Sequence, residues 1–325
     1  MLKNILVIGG AGYIGSHVAK FLRDKGEKVT VFDNFSTGNI ENLLEGEDLV
    51  EGDILNIDAL DSAMQSGVDA VILLAGKKAV GESMENPQKY AVNNLTGTIN
   101  VLNSMVKNGV KKLIFSSSAA VYGTPQYSPV DEAHPTEPIN FYGFTKLKAE
   151  ELFKWYDQLK GIKFVALRYF NAVGYDETGE LNALEKNPQN LLPIVLETAT
   201  GMRDGFSVFG NDYPTFDGTC IRDYIHVTDL ASAHYMALAY LNKNNESQIL
   251  NLGTAKGSSV LELVTKTEEI IGKKLNYDFA ARRAGDPAIL TANPKKAENI
   301  LGWKATHSDL NNIIVSTWNA YKKHF

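Results

Sequence analysis

Residues 5–17 read ILVIGGAGYIGSH: an apolar run breaks into glycines, and a helical pattern follows. Glycines stand at 9, 12 and 15, a G-x-x-G-x-x-G spacing. Glycine lets the backbone turn tightly and approach a pyrophosphate, which then rests on the positive end of the following helix. Gly9, Gly12 and Gly15, with Tyr13 and Ile14 between them, are therefore the first candidate cofactor contacts. A second β-branched run, 28–33, ends in Asp33, 18 residues beyond Gly15, and Asn34 follows it. A carboxylate there accepts hydrogen bonds from the ribose hydroxyls and repels a 2′-phosphate, which predicts NAD rather than NADP. A tight turn followed by a capping Asp is the alternative, and the strand–turn–helix context favours the nucleotide.

Outward from this stretch, strands are predicted at 5–9, 28–33, 70–76, 112–118 and 163–170, with a short one just before GDI (52–54). Helices are predicted between them at 13–25, 57–65, 88–108 and 142–160. Alternation of helices with near-continuous apolar strands means a parallel sheet covered on both faces, a doubly wound Rossmann-type α/β domain. After residue 170 loops rich in Asn, Gly, Asp and Pro separate shorter elements, with helices expected at 191–201, 228–242, 259–272, 294–301 and 308–323. The expected division is a nucleotide-binding domain over 1–172, completed by later segments, and a smaller mixed α/β domain over 173–325.

The 325 residues are 44% hydrophobic and 22% charged, enough for a sizeable core. A net charge of −6 argues against a non-specific nucleic-acid binder but allows a local basic pocket. The single cysteine, Cys220, rules out an intrachain disulfide framework and points to a reducing compartment. The N-terminal apolar run is too short for a signal peptide, and no stretch reaches the ~20 apolar residues of a membrane span. A cytoplasmic protein is expected. The six histidines fall into no ligand spacing, so no metal is predicted.

In open α/β sheets ligands bind beyond the carboxyl ends of the strands. GDI supplies Asp53 and Ile54 there, and LAGKK supplies Leu74, Ala75, Gly76 and Lys78, although Lys78 also fits a solvated loop charge. The strand ending SSSAAVYG (116–123) brings Ser116 and Ser118, and NFYGFTK (140–146) puts Tyr142 and Lys146 one helical turn apart. Alone, that pair fits a surface tyrosine beside a solvated lysine. Beside a nicotinamide cofactor it fits a base. A free phenol titrates near ~10, so work at neutral pH asks for roughly 3 units of depression, about 4 kcal/mol. An ammonium ~4 Å away at an effective dielectric of ~20 supplies about that much. Ser118 is the candidate hydroxyl for bridging a substrate oxygen and Tyr142.

With GGAGYIGSH, EGDI, AGKKAVGES, FSSSAAVYG, YGFTK, RYFNAVG, NLLP, FGNDYPTFDGTCIRDYIHV and RRAGD in this order, the sequence resembles the extended branch of the short-chain dehydrogenase/reductases, and within it the UDP-hexose 4-epimerases. The resemblance runs end to end. It implies reversible 4-epimerisation of UDP-galactose and UDP-glucose through transient hydride transfer to tightly held NAD, rotation of the 4-keto sugar and return of the hydride. It implies homodimers and a UDP-sugar-binding role for residues 173–325. Asn93 and Phe170 join the implied cofactor contacts. Asn171, Asn190, Leu191, Phe209, Arg222, Arg283 and Asp286 are the implied contacts to the UDP moiety, the two arginines on the phosphates. Leu290 is implied to line the sugar pocket, where a large side chain excludes a 2-acetamido group and a small one admits it. Ile8 and Leu74 depart from the commoner threonine and aromatic; both changes are apolar.

A dehydratase or decarboxylase of the same branch needs a further acid or base just after the catalytic hydroxyl. Here those positions are Ala119 and Ala120, which cannot move protons. 4-Epimerisation of UDP-N-acetylhexosamines or UDP-pentoses stays open. So does a catalytically silent NAD-binding regulator, although that reading predicts a broken Ser/Tyr/Lys set.

Overall fold

A computed structural model describes residues 4–283 and 285–325. The glycine loop leaves β1 (Ile5–Ile8), whose four side chains are all buried, and leads into the helix Tyr13–Asp24. Four further parallel strands follow in the first half: β2 (Val29–Asp33), β3 (Asp48–Glu51), β4 (Ala70–Leu73) and β5 (Lys112–Ser118). β6 (Lys163–Tyr169) and a strand from the second half, Gln248–Leu252, complete seven strands in the order Gln248–Leu252, β6, β5, β4, β1, β2, β3. All are parallel.

One face is covered by Val18 and Leu22 of the first helix together with Leu230, Leu238 and Trp303 from the second half. The other carries Leu60, Leu102, Met105 and Phe153 from three helices. The doubly wound class read from the alternating pattern is the class observed. The chain winds away from β1 in both directions, so a crevice opens between the carboxyl ends of β1 and β4. The amides of Leu74 and Ala75 close its floor by donating to the Ile8 carbonyl at 2.8 and 2.9 Å.

A third core, with Leu192, Leu196, Leu263 and Ile313, holds the helices Leu191–Thr200, Val260–Ile271 and Leu310–Tyr321 of the second half. Short strand pairs stand at its mouth. Asn171–Val173 pairs with Tyr224–His226, Phe206–Phe209 with Tyr277–Ala280, and Ile221–Arg222 with Ile289–Leu290.

The helix expected at 88–108 is not uniform. Pro87–Tyr90 and Gly97–Lys107 are α-helical, and Ala91–Thr96 between them is a π-helix. The strand expected at 70–76 stops at Leu73, because residues 74–76 turn across β1.

Candidate active site

The phosphate side of the crevice is made of backbone. The first helix opens at Gly12 with no side chain capping its amides. A Cβ on Gly12 would meet only the Gly9 carbonyl, at 3.3 Å, whereas one on Gly15 would lie 2.0 Å from that oxygen. Gly9 has φ +86°, and a Cβ there would strike Ala75 N at 2.5 Å. Gly12 thus leaves the helix end open to a ligand, while Gly9 and Gly15 are demanded by the loop's own packing.

Asp33, at the end of β2, is buried and accepts the amides of Ala11 at 3.0 Å and Phe35 at 2.8 Å, one on each oxygen. Each carboxylate oxygen keeps a second lone pair for a hydroxyl. Asn34 donates to Asp53 at 2.7 Å and so ties the β2 and β3 loops together. A helix end with open amides beside a fixed carboxylate fits a dinucleotide with an unsubstituted ribose.

The reactive side lies where β5 meets the helix Phe141–Lys160. Asn140 caps that helix by accepting the Gly143 amide at 2.8 Å, and the Ser83 hydroxyl accepts the Tyr142 amide at 3.1 Å. The Tyr142 phenol hydrogen-bonds Ser118, whose oxygen also accepts the Ala120 amide at 3.1 Å. Lys146 is buried, donates to the Ser116 carbonyl at 2.7 Å, and stands 4.6 Å from the Phe115 ring centre and 5.8 Å from that of Tyr142. A Cβ on Gly76 would lie 3.8 Å from its nitrogen. Ser118, Tyr142, Lys146 and Gly76 therefore meet at one mouth.

The charge balance corrects one sequence expectation. Lys146 does not by itself hold the phenol below its ordinary value. Burial pushes Tyr142 up to about 12 against the Ser118 hydrogen bond, and pulls Lys146 down to about 8 against the field of Glu150. Desolvation dominates at both groups, and the ammonium is spent on the Ser116 carbonyl and stands back from the ring.

Around Gly76, Asn94 accepts the Lys77 amide at 2.8 Å and donates to the Lys77 carbonyl at 3.0 Å and to Thr145 at 3.1 Å. Asn93 also accepts the Lys77 amide, at 3.2 Å. Lys78 turns outward and pairs with Glu185. Asn94 and Thr145 were not singled out in the sequence. The π-helix that aims Asn94 inward has no signature in a pattern read as continuous helix.

On the substrate side, Arg222 donates to the carbonyls of Ile221 at 2.9 Å and Pro287 at 2.8 Å. Its Nη2 is buried with no hydrogen-bond partner and lies 3.3 Å from Asp286. Arg283 stacks on Phe209 at 3.9 Å. Leu290, opposite Arg222 in the short strand pair, packs, as Phe170 does, against the cluster of Ala119, Val121, Tyr122 and Val130. It thus lies beside the strand end that carries Ser118. Asn190 opens the helix Leu191–Thr200 without capping it and reaches the Ala172 carbonyl at 3.5 Å. Asn171 donates to the Asp223 carbonyl at 3.2 Å.

With this geometry in hand, comparison with known proteins is decisive. The NAD dependent epimerase/dehydratase family matches residues 5–253. The chain belongs to that family. The UDP-glucose 4-epimerase of Halalkalibacterium halodurans is 44% identical over 98% of this chain and 96% of its own. The UDP-glucose 4-epimerase of Brucella ovis, solved in complex with NAD, superposes with a TM-score of 0.96 at 43% identity, covering 98% of both chains. That of Bifidobacterium longum, solved with NAD+ and UDP, gives 0.93 at 38% identity over 99% of this chain and 98% of its own. Within the family, the Ser118–Tyr142–Lys146 mouth and the Gly12–Asp33 cradle are this chain's two candidate functional centres. Among the described residues no helix is long and apolar enough to cross a membrane.

Proposed function

We propose that the chain interconverts UDP-galactose and UDP-glucose by inverting C4 of the sugar, with Tyr142 as the base and acid for the C4 hydroxyl. One observation carries this reading: the phenol meets the Ser118 hydroxyl at the mouth beside Gly76, and the next two residues, Ala119 and Ala120, hold no proton. The site has one proton-transfer centre, which suffices for inversion and falls short of elimination.

Gly9, Gly12, Gly15, Asp33 and the turn 74–76 hold NAD. When bound, NAD supplies an acceptor that returns the same hydride, so C4 passes through a ketone with no net redox change. Tyr142 takes the hydroxyl proton and gives it back. Ser118 orients the sugar oxygen toward the phenol. Lys146 carries positive charge below about 8, and this favours the phenolate form. The sugar presents its opposite face by turning about its bond to the diphosphate, so the nucleotide needs a firm grip and the sugar a loose one. Arg222 and Arg283 grip the diphosphate, Phe209 faces the uracil, and Asn171, Asn190 and Leu191 border the nucleotide.

Two copies pair through the exposed side of the helix Phe141–Lys160. Phe144, Trp155 and Leu159 share one face there, with Trp155 59% and Leu159 65% exposed. The lone cysteine supports a reducing compartment, the cytoplasm.

Purified protein given UDP-galactose with no added nucleotide tests the assignment. UDP-glucose is the expected product, and Tyr142→Phe lowers the rate by ~10²–10⁴-fold with bound NAD unchanged. No conversion by wild type, or near-normal turnover by Tyr142→Phe, contradicts it.

A further inference from the structure

Behind the reactive mouth lies a buried polar cluster that the reaction as described does not use. Glu150 is 1% exposed and stands one helical turn past Lys146. Arg168 of β6, itself 4% exposed, donates to both carboxylate oxygens, at 2.9 and 2.5 Å. The Ser117 hydroxyl donates to the same carboxylate at 2.6 Å. Arg168 also donates to the Tyr122 hydroxyl at 2.9 Å, and that hydroxyl donates to Asn251 at 2.6 Å.

Ser117 sits between the two residues that touch the reactive pair. The Ser116 carbonyl receives the Lys146 ammonium, and the Ser118 hydroxyl bonds the Tyr142 phenol. Side chains alternate along a strand, so 116 and 118 project to one face and 117 to the other. Glu150 therefore holds this strand end from behind. It also belongs to the helix that carries Tyr142 and Lys146. One carboxylate spans the two elements whose separation sets the geometry of the site.

A buried ion pair is weak evidence for stability, since a well-packed apolar pair of the same volume is often as stable. Its value here is directional: a bidentate arginine fixes the carboxylate in one orientation. We propose that Glu150, clamped by Arg168 and Ser117, is a positioning residue that sets the register of the helix bearing Tyr142 and Lys146 against the strand end 116–118 and keeps the Lys146 ammonium charged.

The groups around Lys146 make the second part testable. On its own helix are Tyr142 and Glu150. From β5 come Phe115 and the Ser116 carbonyl, from the turn after β4 Gly76, and from the π-helix Asn94, all neutral. From β6 come Arg168, bound to Glu150, and Tyr169, whose hydroxyl bonds Ser116. Glu150 is thus the anion in this set, and the field of its carboxylate opposes the loss of the lysine proton. Converting it to an amide removes that charge and leaves Arg168 uncompensated. Both changes favour the neutral amine.

This inference deepens the epimerase reading, and its test separates the two. Wild type, Glu150→Gln, Ser117→Ala and Tyr142→Phe are compared by rate against pH and by phenolate absorbance against pH, with Tyr142 isolated as the difference from Tyr142→Phe. In Glu150→Gln the alkaline fall of kcat moves to lower pH, by about one unit, and the Tyr142 titration, deprived of the ammonium, moves to higher pH. Ser117→Ala keeps the wild-type pH profile and KM while kcat falls several-fold. A Glu150→Gln variant with wild-type profiles, or Ser117→Ala with wild-type kcat, overturns the proposal. If Glu150→Gln does not fold, Ser117→Ala decides by the same split between kcat and KM. Wild type inert toward UDP-galactose sinks the epimerase reading instead, and the absorbance titration still decides the positioning role.

Discussion

The two walls of the crevice are built differently. On the nucleotide wall the functional groups are backbone amides and one carboxylate, and protein bonds already fix them: Asp33 by Ala11 and Phe35, and the loop by the close approach of Gly9 to Ala75. On the wall proposed for the sugar nucleotide they are side chains from segments far apart in sequence, and one is left unsatisfied. Nη2 of Arg222 is buried without a hydrogen-bond partner, 3.3 Å from Asp286. An unpaired buried donor costs about 1–3 kcal/mol. The contrast matches the tasks. A cofactor kept through every cycle suits a rigid cradle, while a sugar that must turn between two faces suits a grip confined to its nucleotide end.

The sharpest way to break this contrast is Gly15→Ala. The added carbon falls 2.0 Å from a backbone oxygen, so the loop must move. Overpacking of that kind costs about 3 kcal/mol or more, roughly a hundredfold in nucleotide affinity. The variant is expected to purify without NAD and without activity, as mass spectrometry of the released nucleotide will report. Full NAD content would show that the loop is softer than its packing implies.

Arg222→Lys probes the other wall. Losing the guanidinium fork removes charge-assisted hydrogen bonds worth ~1.5–3 kcal/mol, so KM for the UDP-sugar should rise roughly 10- to 150-fold. NAD content and kcat should hold. A lowered NAD content with KM unchanged would mean that the two walls are not separable.

The seam between the walls responds to acid. His17 accepts the Asp176 amide at 3.0 Å and so joins the first helix to the segment after Val173; His226 and His234 are buried as well. Burial holds all three at about 4, down from 6.5. The folded state then binds fewer protons than the unfolded one, so the histidines cost nothing above 6.5 and progressively more as pH falls toward 4. Asp223, pushed up by burial to about 6, acts in the opposite sense below that pH. Glu47 and Glu132, which burial also raises, act with Asp223, so the loss of stability as pH falls through about 5–6 is smaller than three histidines alone would give. Urea midpoints measured across that range check it, and a flat profile would contradict buried neutral histidines.

The smallest expected effect is at Leu290. Leu290→Tyr should lower kcat/KM for UDP-N-acetylgalactosamine relative to UDP-galactose by about tenfold, since a larger side chain crowds the 2-acetamido group. An unchanged ratio removes Leu290 from the pocket wall.

The same contrast explains what could be read from the sequence. The nucleotide wall is local: Gly9, Gly12 and Gly15 lie in one turn, and Asp33 ends the next strand, so spacing and strand order expose them. Tyr142 and Lys146 are likewise one helical turn apart. The wall proposed for the sugar nucleotide is assembled from five segments between 171 and 290, and its residues entered only through resemblance to relatives. Asn94 was missed because a π-helix leaves no periodicity of its own. Glu150 and Arg168 were missed because a charged residue in a helix and another in a strand read as surface until tertiary packing brings them together. The state of the phenol also escaped the sequence, because the cost of desolvation depends on burial and spacing alone cannot supply it.

The central claim is that one hydride leaves C4 and returns to it while Tyr142 moves only the hydroxyl proton. UDP-galactose carrying deuterium at C4, converted in ordinary water and analysed by mass spectrometry, tests this most directly. The predicted result is UDP-glucose that keeps the deuterium at C4, with none lost to solvent. Product in which the label has exchanged for solvent hydrogen would contradict it.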